Sequence, residues 1–312
     1  MPRWIAWLKR KMFGQYIRED GPQGHLAKAG TPTAGGVVLV GAVLAAACIW
    51  QGAFTWLNVT WGQGALSLDA WVVLAMFVAF GLMGLSDDGL KIAKKKNKGL
   101  SGYSKLAIQA VLGAGLGWYL MSVNGIQRTC LASWHCWSLG WAYPLFSALV
   151  MTATSNAINL TDGLDELAAA TSTCTLLALA WLGYTTLQRP DLGAVTWLIV
   201  GGLLGFWWFN RHPARIFMGD TGSMALGGAI GTLALMMGFE LLLPLLGMVF
   251  VLEALSVMLQ VVSFKTTGKR VFKMSPLHHH FELSGWHEQT VVRAFTALQA
   301  ACCLLGMWIL LH

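Results

Sequence analysis

The stretch AWVVLAMFVAFGLMGLSDDGLKIAKKKNKG, residues 70–99, runs from an uncharged apolar segment into a pair of aspartates and then into a cluster of lysines. Its apolar part reaches the roughly 17 residues a helix needs to cross the hydrocarbon core of a bilayer. Asp87 and Asp88 close that segment, and Lys91, Lys94, Lys95, Lys96 and Lys98 follow. A basic run beside a span is ordinarily charge retained on the inner side of a membrane, next to anionic lipid. That explains the lysines and leaves the aspartates unexplained, because adjacent carboxylates at a bilayer boundary repel and lose solvation unless a cation compensates. A metal-binding or phosphate-handling role is therefore a candidate for the pair.

The pattern repeats along the chain. Of 312 residues, 56% are hydrophobic and only 11% charged, whereas ordinary soluble domains carry about a quarter charged residues; the mean hydropathy is +0.59. Apolar windows fall near 34–56, 65–86, 104–122, 139–158, 167–185, 193–209, 221–238, 240–264 and 290–311, predicting an all-α polytopic membrane protein of about nine spans. The turn around Gly238 and Glu240 is the least defined boundary. With the amino terminus inside, the inner segments are 1–33, 87–103, 159–166, 210–220 and 265–289; with Lys105 and Arg293 at their edges they hold nineteen of the twenty-one Lys and Arg. Only Arg128 and Arg189 lie outside them. The net charge of +7 thus reflects orientation and calls for no nucleic-acid partner. Trp50, Trp56, Trp118 and Trp141 fall near presumed outer span ends, as interfacial anchors do. Cys130 and Cys136 share an outer loop and could form a disulfide in an oxidising compartment, although nothing in their spacing demands it. The amino-terminal MPRWIAWLKRKMFG has no signal-peptide core and suits a short amphipathic helix on the inner surface.

Polar residues concentrate in the same inner segments, which hold ten of the fourteen acidic residues. A transporter would instead place them at mid-bilayer. Glu253 is the one carboxylate deep within a span, where an interhelical hydrogen bond explains it at least as well as catalysis. GPQGHLAKAGTPTAGG, residues 21–36, is too rich in Gly and Pro for a regular helix and offers His25, Lys28, Thr31 and Thr33 to an anion or a base, or is simply a loop entering the first span. SNAINLTDGLDELA, residues 155–168, sets Asn156, Asn159, Asp162 and Asp165 at intervals of three; capping accounts for one of them and not for four. In FNRHPARIFMGDTGSMALGG, residues 209–228, Asp220 lies near Gly219 and Gly222, open to a hard cation such as Mg²⁺ or serving as a cap, and Phe217 could stack on a base or anchor at the interface. In SFKTTGKRVFKMSPLHHHFELSGWHE, residues 263–288, the histidine run is too short and too embedded for a tag and lacks zinc-ligand spacing. In an extended segment His278 and His280 would share one side, facing a phosphate, with His279 opposite.

Taken in this order, the five motifs resemble the polyprenyl-phosphate N-acetylhexosamine-1-phosphate transferase superfamily. KAGTPTAGG, NAINLTDGLDELA, FMGDTGSMALGG and above all SPLHHHFELSGW resemble its phospho-N-acetylmuramoyl-pentapeptide transferase family, over nearly the whole chain. The resemblance implies a single integral-membrane transferase domain over residues 1–312, with 1–33 and 265–289 cytoplasmic and an active-site cleft on the cytoplasmic face of a bacterial inner membrane. It implies transfer of phospho-MurNAc-pentapeptide from UDP-MurNAc-pentapeptide to undecaprenyl phosphate, giving lipid I and UMP, with Mg²⁺ as cofactor and a homodimer as the assembly. Asp220 would be the Mg²⁺ ligand, with Asp87 a second candidate. Asp87, Asp88, His278 and His280 would join Asp220 in catalysis. Lys28, Thr33, Asn159, Asp165 and Phe217 would serve the nucleoside and its phosphates, with Phe217 on uracil, while His25, Lys91, Lys95, Asn156, Asp162 and His279 would line the cleft. Direct attack and a phospho-aspartyl intermediate are both compatible with these residues.

The chain departs from the family's usual ten spans by starting where the first would end, and it carries Ala34 in place of Met and Glu166 in place of Gly. A sister transferase using UDP-GlcNAc, a non-catalytic membrane scaffold and a lipid transporter are the alternatives.

Overall fold

The computed structural model describes residues 1–10, 30–56, 65–94, 99–131 and 135–311. Among them the helices, in chain order, are α1 (Pro2–Arg10), α2 (Gly35–Trp56), α3 (Leu68–Lys94), α4 (Gly102–Ser122), α5 (Tyr143–Thr161), α6 (Leu167–Thr185), α7 (Pro190–Asn210), α8 (Gly219–Met237), α9 (Leu243–Leu246), α10 (Met248–Thr267), α11 (Leu277–Glu282) and α12 (Glu288–Leu311). Each apolar window contains one long helix. Six of these, α2, α3, α6, α7, α10 and α12, are long and apolar enough to cross a membrane, and the chain is a multi-pass membrane protein.

Two expectations change. The eighth span begins at Met248, not near residue 240, because Gly238 ends α8 in the left-handed conformation (φ 70°) and the short α9, with Pro244 in its first turn, intervenes before Gly247. Among the described residues the helical fold also carries an antiparallel strand pair, the hairpin of β1 (Arg128–Leu131) with β2 (His135–Ser138), in which Cys130 faces Cys136 and a disulfide joins them.

The centre of the fold is α8, buried at every position from Thr221 to Met237 and packed against α2, α3 and α5. Small residues make this possible, since helices in lipid gain from close backbone approach and not from a hydrophobic drive. A Cβ on Gly36 of α2 would lie 2.2 Å from the Gly222 nitrogen, and one on Gly84 of α3 would lie 2.1 Å from the Asp220 carbonyl oxygen. Between α4 and α5 the buried Gln109 donates to Ser155 (2.8 Å) and accepts from Asn156 (2.7 Å). At the opposite ends of α3 and α7, Arg189 pairs with Asp69 (2.7 Å) and Asp191 (2.8 Å), Asp69 also accepts from Tyr119 and Asn124, and Ser67 donates to Asp191. The amphipathic α1 buries Leu8 and donates from the Trp4 indole to the Ala34 carbonyl oxygen.

Candidate active site

Where α3 runs past its apolar part it meets the start of α8. The first N–H groups of a helix have no partner within it, and the residue before α8, Met218, supplies no side-chain cap. Asp88 supplies it from α3: its carboxylate accepts from the Asp220 N–H (3.2 Å), the Thr221 N–H (3.0 Å) and the Thr221 hydroxyl (2.7 Å). The helix dipole favours that negative charge. Gly219 enters the helix at φ 71°, and a Cβ there would lie 2.8 Å from both Asp88 Oδ2 and Thr33 Oγ1, which puts Thr33 at the same corner.

Beside this cap, Asp87 and Asp220 share two lysines. Lys91 Nζ lies 2.6 Å from Asp87 Oδ2 and 3.0 Å from Asp220 Oδ2, and Lys105 Nζ lies 3.0 Å and 2.8 Å from the same two oxygens. The other Asp87 oxygen accepts from the Leu100 N–H (2.7 Å), and Asp87 is fully buried. Asn159 donates to Asp220 (3.1 Å) and to Ser223 (2.9 Å). One oxygen from each of Asp87, Asp88 and Asp220 falls within 4.8 Å of the others, so the three could hold a metal ion. Two ammonium groups facing three carboxylates leave negative charge in excess, and hard oxygen donors of this kind suit a hard divalent cation.

The turn after α5 adds further carboxylates. Burial, reinforced by the nearby Asp220 and Asp88, pushes the Asp162 carboxyl well above the usual carboxylate range, although the Gly219 N–H that it accepts works the other way. Asp165 turns to a neighbouring group: it accepts from His212 (3.0 Å) and the Ala214 N–H (3.0 Å), while its own N–H donates to Glu288 (2.8 Å). Asp165, His212 and Glu288 form a second set able to hold a metal ion. Phe217 joins its strand-like neighbours, its N–H bonded to the Pro32 carbonyl and its carbonyl to the Gly35 N–H.

Of the candidate residues, Asp87, Asp88, Lys91, Asn159, Asp162 and Asp220 meet with Thr33 beside them, and Asp165 and Phe217 lie on the adjoining segments. Asn156 is bonded instead to Gln109 and to the Thr152 carbonyl. His25, Lys28 and Lys95 lie outside the described residues. The histidines are not extended: they occupy α11, so His278 and His280 do not share a side. His278 is buried against Glu253, His279 pairs with Glu282 (2.9 Å), and His280 accepts from the Lys273 N–H (3.2 Å).

A family model described as glycosyl transferase family 4 matches residues 70–238, the part that contains Asp87, Asp88, Asn159, Asp162 and Asp220. A phospho-N-acetylmuramoyl-pentapeptide-transferase of Moorella thermoacetica is 47% identical over 316 residues, covering 99% of this chain and 93% of that one. The chain belongs to the phospho-N-acetylmuramoyl-pentapeptide-transferase family. Two further phospho-N-acetylmuramoyl-pentapeptide-transferases, from Geobacillus kaustophilus and Oceanobacillus iheyensis, are 43% and 40% identical, each over 99% of this chain and 92% of the relative.

Sequence reasoning passed over Lys105, Thr221, Ser223, His212, Glu288 and the part played by Glu253. Lys105 carried a signal. It sits at the start of α4, where a cation opposes the helix dipole, and a lysine kept in such a place has a partner elsewhere. His212 and Glu288 carried none, because their meeting with Asp165 joins segments far apart in the chain.

Proposed function

We propose that this protein transfers phospho-MurNAc-pentapeptide from UDP-MurNAc-pentapeptide to undecaprenyl phosphate, forming lipid I and UMP, at the cytoplasmic face of a bacterial inner membrane, with Mg²⁺ as cofactor. The observation that carries this reading is the convergence of Asp87, Asp88 and Asp220 with Lys91 and Lys105 at the abutting ends of α3 and α8. Phosphoryl transfer needs alignment and charge neutralisation more than a reactive side chain, and this group offers both.

Asp220, with Asp87 and Asp88 beside it, would hold Mg²⁺, and the bound ion would neutralise the diphosphate and polarise the bond under attack. The protein's own groups are set to exchange partners. As a diphosphate enters, Lys91 and Lys105 turn from carboxylate to phosphate oxygens. That frees Asp87 to take the proton of the lipid phosphate or to orient it. Asp88 stays with the α8 amides and fixes where Asp220 stands. Thr33, Asn159, Asp165 and Phe217, with His25 and Lys28, hold the nucleoside and its phosphates.

Purified protein in detergent, given UDP-MurNAc-pentapeptide, undecaprenyl phosphate and Mg²⁺, is expected to release UMP and form a lipid-linked product. Release from UDP-GlcNAc in preference would point to the sister transferase. No release from folded protein at any Mg²⁺ concentration would leave a scaffold or a transporter.

A further inference from the structure

Glu253 lies in the second turn of α10 and is fully buried, yet both of its carboxylate oxygens are engaged by a single short segment. One accepts the Leu277 N–H (2.6 Å), and the other lies 3.0 Å from His278 Nδ1 and 3.3 Å from the His278 N–H. A carboxylate that already accepts backbone N–H groups is an acceptor toward the imidazole too, so the proton sits on Nδ1. The other ring nitrogen is spoken for by nothing: His278 Nε2 is buried and has no hydrogen-bond partner among the described residues. It abuts Gly163, where an added Cβ would lie 2.2 Å from it. Gly163 sits between Asp162 and Leu164, in the turn that leads from Asn159 to Asp165.

We infer that Glu253 is a positioning residue of the transferase, which fixes α11 and the tautomer of His278 so that Nε2 is held as an open acceptor against the Asp162–Asp165 turn. The physical case is that an unpaired buried carboxylate in a span is costly, and this one is offset by a dyad aimed at the site. A metal-bound or catalytic imidazole is ordinarily oriented through its second nitrogen in this way. Gly163 is then needed for space as much as for its turn, because a side chain there would displace the ring. The inference rests on the function proposed above for its kinetic consequence and is independent of it for its geometry.

Glu253→Gln keeps the size of the side chain but presents an amide that can donate to Nδ1, which favours the Nε2-protonated tautomer. The test pairs ¹⁵N-histidine spectra of the full-length protein with UMP-release kinetics for wild type, Glu253→Gln, Glu253→Asp and Gly163→Ala. We expect Nδ1 protonation at His278 in wild type and Nε2 protonation in Glu253→Gln. We also expect kcat to fall about ten- to a hundred-fold with KM for the nucleotide substrate nearly unchanged, partial recovery in Glu253→Asp, and a matching loss in Gly163→Ala. A Glu253→Gln enzyme with wild-type kcat, or an unchanged tautomer, would overturn the inference. A wild-type protein that releases no UMP would count against the proposed function alone, because the tautomer is read without turnover.

Discussion

Glu166 has φ 60°, a left-handed conformation that costs a residue with a Cβ roughly 1 kcal/mol or more and costs glycine almost nothing. Its carboxylate accepts the Trp207 indole N–H at 2.8 Å, a bond contributing about 1 kcal/mol, so side chain and strain nearly cancel. Thermal unfolding in detergent should therefore place Glu166→Gly close to wild type and Glu166→Ala about 1 kcal/mol below it; an alanine variant as stable as wild type would show that the indole bond contributes nothing. Lys105 is a sharper case. Replacing it with Met leaves Asp87 and Asp220 to share Lys91 alone, and UMP release should fall about a hundred-fold with the protein still folded. The aspartates were legible because adjacent carboxylates at a membrane boundary need an explanation. Lys105 was harder to read, because its place at the start of α4 was the only signal and it otherwise read as one more inward positive charge.

At the scale of elements, the site depends on how closely α3 and α8 approach. A methyl group on Gly84 meets the Asp220 carbonyl oxygen, whereas one on Gly41 of α2 meets nothing within 4 Å. Gly84→Ala should cost about 1–3 kcal/mol and most of the turnover. Gly41→Ala should be neutral or gain up to about 1 kcal/mol, and equal behaviour of the two would refute the close packing. Apolar length marked every long helix, since nothing else tolerates lipid on its surface. It misplaced the start of α10 because Pro244 and Gly247 break the helix without any change in polarity. The histidine segment misled for another reason: three identical residues carry no periodicity, and α11 forms where Glu253, distant in sequence, accepts its first N–H groups.

Over the whole molecule, the lysine and arginine asymmetry predicts that the aspartate cluster and the histidine segment lie inside and the Cys130–Cys136 hairpin outside. In a background without the free cysteines, a cysteine at Gln127 should react with an impermeant thiol reagent in intact cells, and one at Lys273 only after lysis. Reaction of Lys273→Cys in intact cells would invert the assignment. The hairpin itself could not be read from composition, because its two short strands are defined by pairing with each other. The activity proposed for the group around Asp220 is Mg²⁺-dependent transfer of a phosphosugar to a lipid phosphate. Its most direct test is UMP release from UDP-MurNAc-pentapeptide and undecaprenyl phosphate by wild type and by Asp220→Asn, across a range of Mg²⁺ concentrations. Wild type should release UMP only with Mg²⁺, and the folded variant should release almost none at any concentration; an Asp220→Asn protein as active as wild type would contradict the account.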